Sequence, residues 1–153
     1  MKKRVLSLLM SLVLLVGLLP AAAQAADEPV GSVLFSVETK TIDGGYLIEP
    51  TEVYRYADDT VYSILSRTAA ERGLSVSGAE SGYVTCIGDF GSYTDSDYGL
   101  ESGWMVALNN DHNTWPLPAL RDGDSIRFCY TYKTYGYDID LIDRVDALRA
   151  SMR

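Results

Sequence analysis

Three features of the chain predict an α+β fold: a mixed sheet of about five strands packed on one helix, with a further helix appended at the C-terminus. Val33-Leu34-Phe35-Ser36-Val37 and the run from Tyr46 to Tyr56 are β-rich and are joined through Asp43-Gly44-Gly45, a turn signal. The segment Thr60 to Arg72 carries Val61, Ile64, Leu65 and Ala69 at helical rather than alternate spacing. A Trp-led strand, Trp104 to Leu108, is followed by the reversing turn Asp122-Gly123-Asp124 and by an alternating strand from Arg127 to Tyr132.

In chain order, residues 1–25 read as a secretory signal. Lys2-Lys3-Arg4 is a basic start, Val5 to Leu19 is apolar, and Ala23-Gln24-Ala25 offers a cleavage site. The apolar run is short for a bilayer, which needs roughly 20 residues. The expected product is secreted, extracellular or at the cell surface, and not inserted in a membrane after cleavage. Losing three basic residues and no acid takes its formal charge from −8 to −11. Such acidity repels phosphate backbones and argues against nucleic acid as a partner.

Residues 26–32, with Pro29, form a flexible lead-in to a domain spanning 33–133. Pro50 inside the second strand points to an edge position or a bulge. Asp58, Asp59 or Thr60 caps the helix, and Gly73 supplies its left-handed stop. Tyr83 to Ile87 reads as a third strand, and Asp89 to Gly103 as an acidic, Gly-rich loop carrying Tyr93 and Tyr98. In the last strand, Ile126, Phe128, Tyr130 and Tyr132 form the core face, with Arg127, Cys129 and Thr131 opposite. From 138 to 152, Leu141, Val145, Leu148 and Met152 recur at helical spacing, so a C-terminal amphipathic helix either docks on the sheet or self-associates.

The order strand, strand, helix, strand, strand, strand is that of a β-grasp fold, in which the last strand lies between the first and the third. Cys86 and Cys129, the two cysteines, would then lie on neighbouring strands. In an oxidising compartment a cross-strand disulfide is expected, the alternative being two buried thiols. The bridge would contribute about 4 kcal/mol in the chain-entropy model.

Catalytic and metal signatures are sparse. No Gly-x-Ser-x-Gly elbow, phosphate-cradling Gly loop or metal-binding helix occurs, and His112 lies in a polar loop where an exposed imidazole is expected. Asp95-Ser96-Asp97-Tyr98-Gly99 begins like a calcium loop but has Leu100 and Val106 where Gly and Glu are required. No enzyme activity, metal or required cofactor is expected. Binding through aromatic rings is the stronger reading, with Trp104 and Trp115 as candidate anchors and Tyr83, Tyr93 and Tyr98 extending the rim.

The motifs Gly82-Tyr83-Val84-Thr85-Cys86-Ile87, Ser102-Gly103-Trp104-Met105, Leu108-Asn109 and Asp122-Gly123-Asp124-Ser125-Ile126 resemble, in order, those of the transcobalamin-like C-terminal domain. That domain occurs in secreted proteins of Gram-positive bacteria and in the vertebrate cobalamin carriers. The likeness runs from about Val33 to Tyr132. It implies cobalamin or a related corrinoid as ligand, contacted by Gly82, Tyr83, Val84 and Thr85 and by a second stretch from Trp104 to Trp115, Pro116 and Leu117. That second stretch is longer here and carries an extra ring in Trp115. The carriers' helical-barrel domain, the other half of their site, has no counterpart in the sequence, so tight solitary binding is not expected. The alternative is an extracellular protein-interaction, cell-surface assembly or glycan-binding module.

Overall fold

In the computed structural model, residues 28–42, 45–95, 100–132 and 136–153 are described, without the side chains of residues 93–95, 100 and 101. A mixed five-stranded sheet has the order β2-β1-β8-β7-β6, with β1 Gly31–Glu38, β2 Tyr46–Arg55, β6 Tyr93–Asp95, β7 Leu100–Leu108 and β8 Ser125–Thr131. β1 and β8 run parallel, with Phe35 opposite Ile126, and the other pairs are antiparallel. Helix α1, Val61–Glu71, covers one face through Val61, Ile64 and Leu65 against Val33, Phe35, Ile126 and Phe128.

α1 starts as its sequence predicts. Thr60 caps it by accepting from Ser63 N–H at 3.1 Å, Ser63 Oγ accepts in return from Thr60 N–H, and Gly73 follows at φ +72°. Pro50 also falls where expected. β2 is an edge strand, and its pairing with β1 slips between Thr51 opposite Phe35 and Ile48 opposite Val37, leaving Glu49 and Pro50 in a bulge.

The expected third strand is corrected. Only Cys86–Ile87 (β4) pairs, in a separate three-stranded sheet with β3, Val76–Ser77, and β5, Phe90–Gly91. Tyr83 N–H and Thr85 N–H are drawn into a turn by Gly78 C=O and Ser77 C=O instead. That turn requires Gly78, which sits at φ +86° where a Cβ would collide with Tyr83 O. β8 therefore lies between β1 and β7, with no strand from the Cys86 region beside it.

The disulfide is corrected for the same reason. Cys86 lies in the small sheet, whereas Cys129 lies on the large sheet's second face, and both are free thiols. Cys86 Sγ donates to Gly88 O at 3.3 Å. Burial, reinforced by the charge of Glu38, pushes the Cys129 thiol up to about 12, so it behaves as an inert small hydrophobe.

That second face is buried because helix α2, Tyr137–Ser151, docks on it. Arg127 forks between Glu38 (2.8 and 2.9 Å) and Asp143 (3.0 and 2.8 Å), and Thr131 Oγ1 donates to Asp138 at 2.6 Å. Burial alone would raise the Glu38 carboxyl, but the Arg127 hydrogen bonds and charge hold it below its ordinary value. Ile139 is the buried apolar contact of α2, and the stripe singled out in the sequence faces outward, with Leu148 63% and Met152 78% exposed. Tyr132 lies beyond the end of β8 and is half exposed.

The Asp122-Gly123-Asp124 turn is a lock. Asp122 accepts from Ser32 N–H at 2.7 Å and Asp124 from Arg121 N–H at 2.7 Å, while Asn109 donates to Asp124 and accepts from Ser125 N–H. The expected loop from Asp89 to Gly103 instead contains β5, β6 and the start of β7. The signal segment, Asp43-Gly44 and residues 96–99, with Tyr98 and most of the calcium-like run, lie outside the described residues. Among the described residues no helix is long and apolar enough to cross a membrane, and no three His, Cys, Asp or Glu gather as metal ligands.

Candidate functional site

β6 pairs with β7 only from Leu100 to Ser102, so among the described residues the strand has a free edge from there until Leu108 pairs with Asp111. A groove of about 610 Å³ opens along it, and five consecutive residues, Ser102 to Val106, line it. Successive strand residues point to opposite faces, so an unbroken run of lining residues is what an open edge produces. Gly82, Tyr83 and Val84 reach the groove from the turn after the short helical segment Ala79–Ser81. Tyr62 reaches it from α1, and His112, Thr114 and Trp115 from the loop after β7.

Asp111 builds that loop. Its carboxylate accepts from Asn113 N–H at 2.8 Å and from Thr114 Oγ1 at 2.6 Å, and the Thr114 and Asn113 bonds hold its carboxyl below the ordinary range. Trp115 emerges from the turn 74% exposed, and Tyr83 across the sequence is 69% exposed. Tyr62 is a neutral phenol, since burial raises its ionisation further above the working range.

Trp104 belongs to both wall and scaffold. Its indole Nε1 donates to Phe90 O at 2.8 Å, and its ring meets Tyr130 edge-on at 5.1 Å. Tyr130 in turn donates its hydroxyl to Gly91 O at 2.8 Å, so two aromatic donors tie β5 to the large sheet. Half-buried and packed against the core, Trp104 is a floor residue of the groove rather than a free rim anchor.

Of the residues assigned from sequence, Gly82, Tyr83, Val84, Trp104 and Trp115 converge on this groove. Thr85 does not, because its N–H bonds Ser77 O and its C=O accepts from Ser92 N–H in the small sheet. Pro116 and Leu117 line an adjoining cavity of about 330 Å³, which shares Tyr62 and Trp115 with the groove. Met105 and Val106 lie inside the stretch from Trp104 that the resemblance implies, whereas the residues Tyr62, His112 and Thr131 join the groove without having been singled out for it in the sequence. Tyr62 had a legible signal, as a ring on the helix beside Val61, whereas His112 and Thr131 reach the groove through tertiary packing. His112 is not the exposed imidazole expected: its side chain is 9% exposed, with Nε2 3.6 Å from Asp140 on α2.

Among the described residues the lining contains no Asp, Glu, Lys or Arg. In so acidic a chain, that neutrality marks a surface suited to an uncharged ligand that stacks on rings and hydrogen-bonds to Ser, Thr and peptide groups. No family model matches the chain, and no curated protein matches it in sequence.

Proposed function

We propose that the chain is an exported, non-catalytic binding module of β-grasp-like topology that captures an uncharged amphipathic small molecule, a corrinoid being the class to which its motifs point. The observation that carries the reading is convergence. Gly82-Tyr83-Val84 and the stretch containing Trp104 and Trp115, remote in sequence, meet around one neutral groove with aromatic walls. Planar, amide-bearing macrocycles suit such walls, since rings take the apolar face and edge peptide groups take the amides.

Absorbance titration with cyanocobalamin and with cobinamide tests the proposal. A saturable shift that weakens in Trp115→Ala and Tyr83→Ala is expected. No shift at high-micromolar ligand would remove the corrinoid assignment.

A second reading, an extracellular protein-interaction or surface-assembly module, is favoured by the outward apolar stripe of α2, Leu141, Leu148 and Met152. Light scattering over a concentration series would reveal self-association through it, and Leu148→Glu should abolish any that is seen.

A further inference from the structure

We infer that the free edge of β7 is a strand-addition site for an extended, uncharged peptide segment of about five residues, a class of partner beyond the small ligand proposed above. The direction of the peptide groups follows from the ends of the strand. Asn109 N–H donates to Ser125 O at 2.8 Å, so the odd-numbered residues turn toward β8. Leu108 faces the other way, its N–H and C=O both bonded to Asp111 at 3.0 Å.

Alternation along an antiparallel strand turns the peptide groups of Val106 and Trp104 to that same outer side. β6 occupies this side only as far as Ser102, opposite Tyr93. Among the described residues nothing bonds the outward N–H and C=O of Trp104 and Val106. They repeat at the two-residue strand spacing of about 7 Å, which is the repeat of another strand's backbone.

The surroundings choose the kind of occupant. Tyr62, Tyr83, His112 and Trp115 stand around the edge and recess it, so a lone strand fits where the edge of a second folded sheet would meet those side chains first. Gly103 to Ala107 offers five residues, about 17 Å of strand. Among the described residues no formally charged side chain lines the groove, and a charged peptide side chain placed against them would lose its hydration without a counter-ion. Shape and ladder thus call for backbone pairing with Ser, Thr, Val, Leu or Tyr side chains resting on the rings.

Amide hydrogen exchange read by NMR on the full chain tests this, with capped pentapeptides drawn from those five residues as the probe. Exchange at Trp104 and Val106 N–H should slow about tenfold when the pool stands about ten times above its Kd. Met105 N–H, already turned to β8, should change little. The same pool N-methylated at alternate residues keeps its side chains and loses its strand donors, and should protect neither amide. Absence of protection at Trp104 and Val106, or equal protection by the N-methylated pool, would overturn the inference. Peptide protection without a corrinoid shift would remove the corrinoid assignment alone, and a corrinoid shift without peptide protection would remove this inference alone.

Discussion

β2 and the free half of β7 bound one sheet, and they treat unpaired peptide groups in opposite ways. β2 is blunted: Pro50 removes a donor, a bulge breaks the register, Glu49 and Glu52 are exposed, and Arg67 donates to Tyr54 O at 2.8 Å from the neighbouring helix. Each device is one that proteins use against edge-to-edge association. β7 carries none of them from Gly103 to Ala107, and its edge lies at the base of a neutral aromatic groove. An edge that is shielded by position yet left chemically open is one that a ligand can use, and the contrast is what directs attention to β7.

The largest expected effect tests whether the groove and the scaffold are one structure. Trp104→Ala removes a half-buried indole, its bond to Phe90 O and its contact with Tyr130, and should cost about 3 kcal/mol in urea unfolding. A cost below about 0.5 kcal/mol would make Trp104 a rim residue after all.

Next comes the blunted edge. Arg67 makes two 2.9 Å bonds to Asp59, caps Tyr54 O and stacks 4.9 Å from the Tyr56 ring centroid. Arg67→Ala should cost about 2 kcal/mol and leave the β2 edge prone to concentration-dependent aggregation. Loss of stability without aggregation would show that Pro50 and the bulge protect the edge unaided.

The same pair sets a pH dependence. Burial pushes the Asp59 carboxyl up, but bonds from Arg67, Tyr56 N–H and Ser63, with the Arg67 charge, outweigh it and bring the pKa down to about 2. A carboxyl lowered on folding contributes stability fully above its ordinary value of 3.8 and loses it as pH falls through about 2. Wild type should therefore exceed Asp59→Asn by about 1 to 2 kcal/mol at pH 6, the gap closing toward pH 2. A gap independent of pH would mean that the pair adds nothing through its charge.

These two edges were unequally legible. Pro50, the Thr60 cap and the Asp122-Gly123-Asp124 turn act locally, so residue type and spacing announced them. The open edge of β7 depends on β6 ending its pairing at Ser102, a tertiary event with no local signature. Short β-rich runs misled for a related reason. Tyr83 to Ile87 has strand composition, yet Gly78 and Gly82 bend it into a turn, and the cysteine pairing inferred from that strand went with it. The outward stripe of α2 was visible as a period, but the helix docks through Asp138, Ile139 and Asp143, because the face it covers presents Arg127 and Thr131 rather than an apolar surface.

The smallest stability effect is expected at Trp115, where binding and folding separate most cleanly. Its ring is 74% exposed and makes no hydrogen bond or ring contact among the described residues, while the turn beneath it is held by Asp111 through Asn113 and Thr114. Trp115→Ala should therefore shift stability by less than about 0.5 kcal/mol. An aromatic anchor of this kind carries about 1.5 to 3 kcal/mol of a complex, so ligand affinity should fall by roughly 10- to 150-fold. Calorimetric titration and urea unfolding on the same protein read both quantities. If affinity holds while Trp104→Ala unfolds the chain, the exposed ring is incidental and the groove is used, if at all, through the backbone of β7.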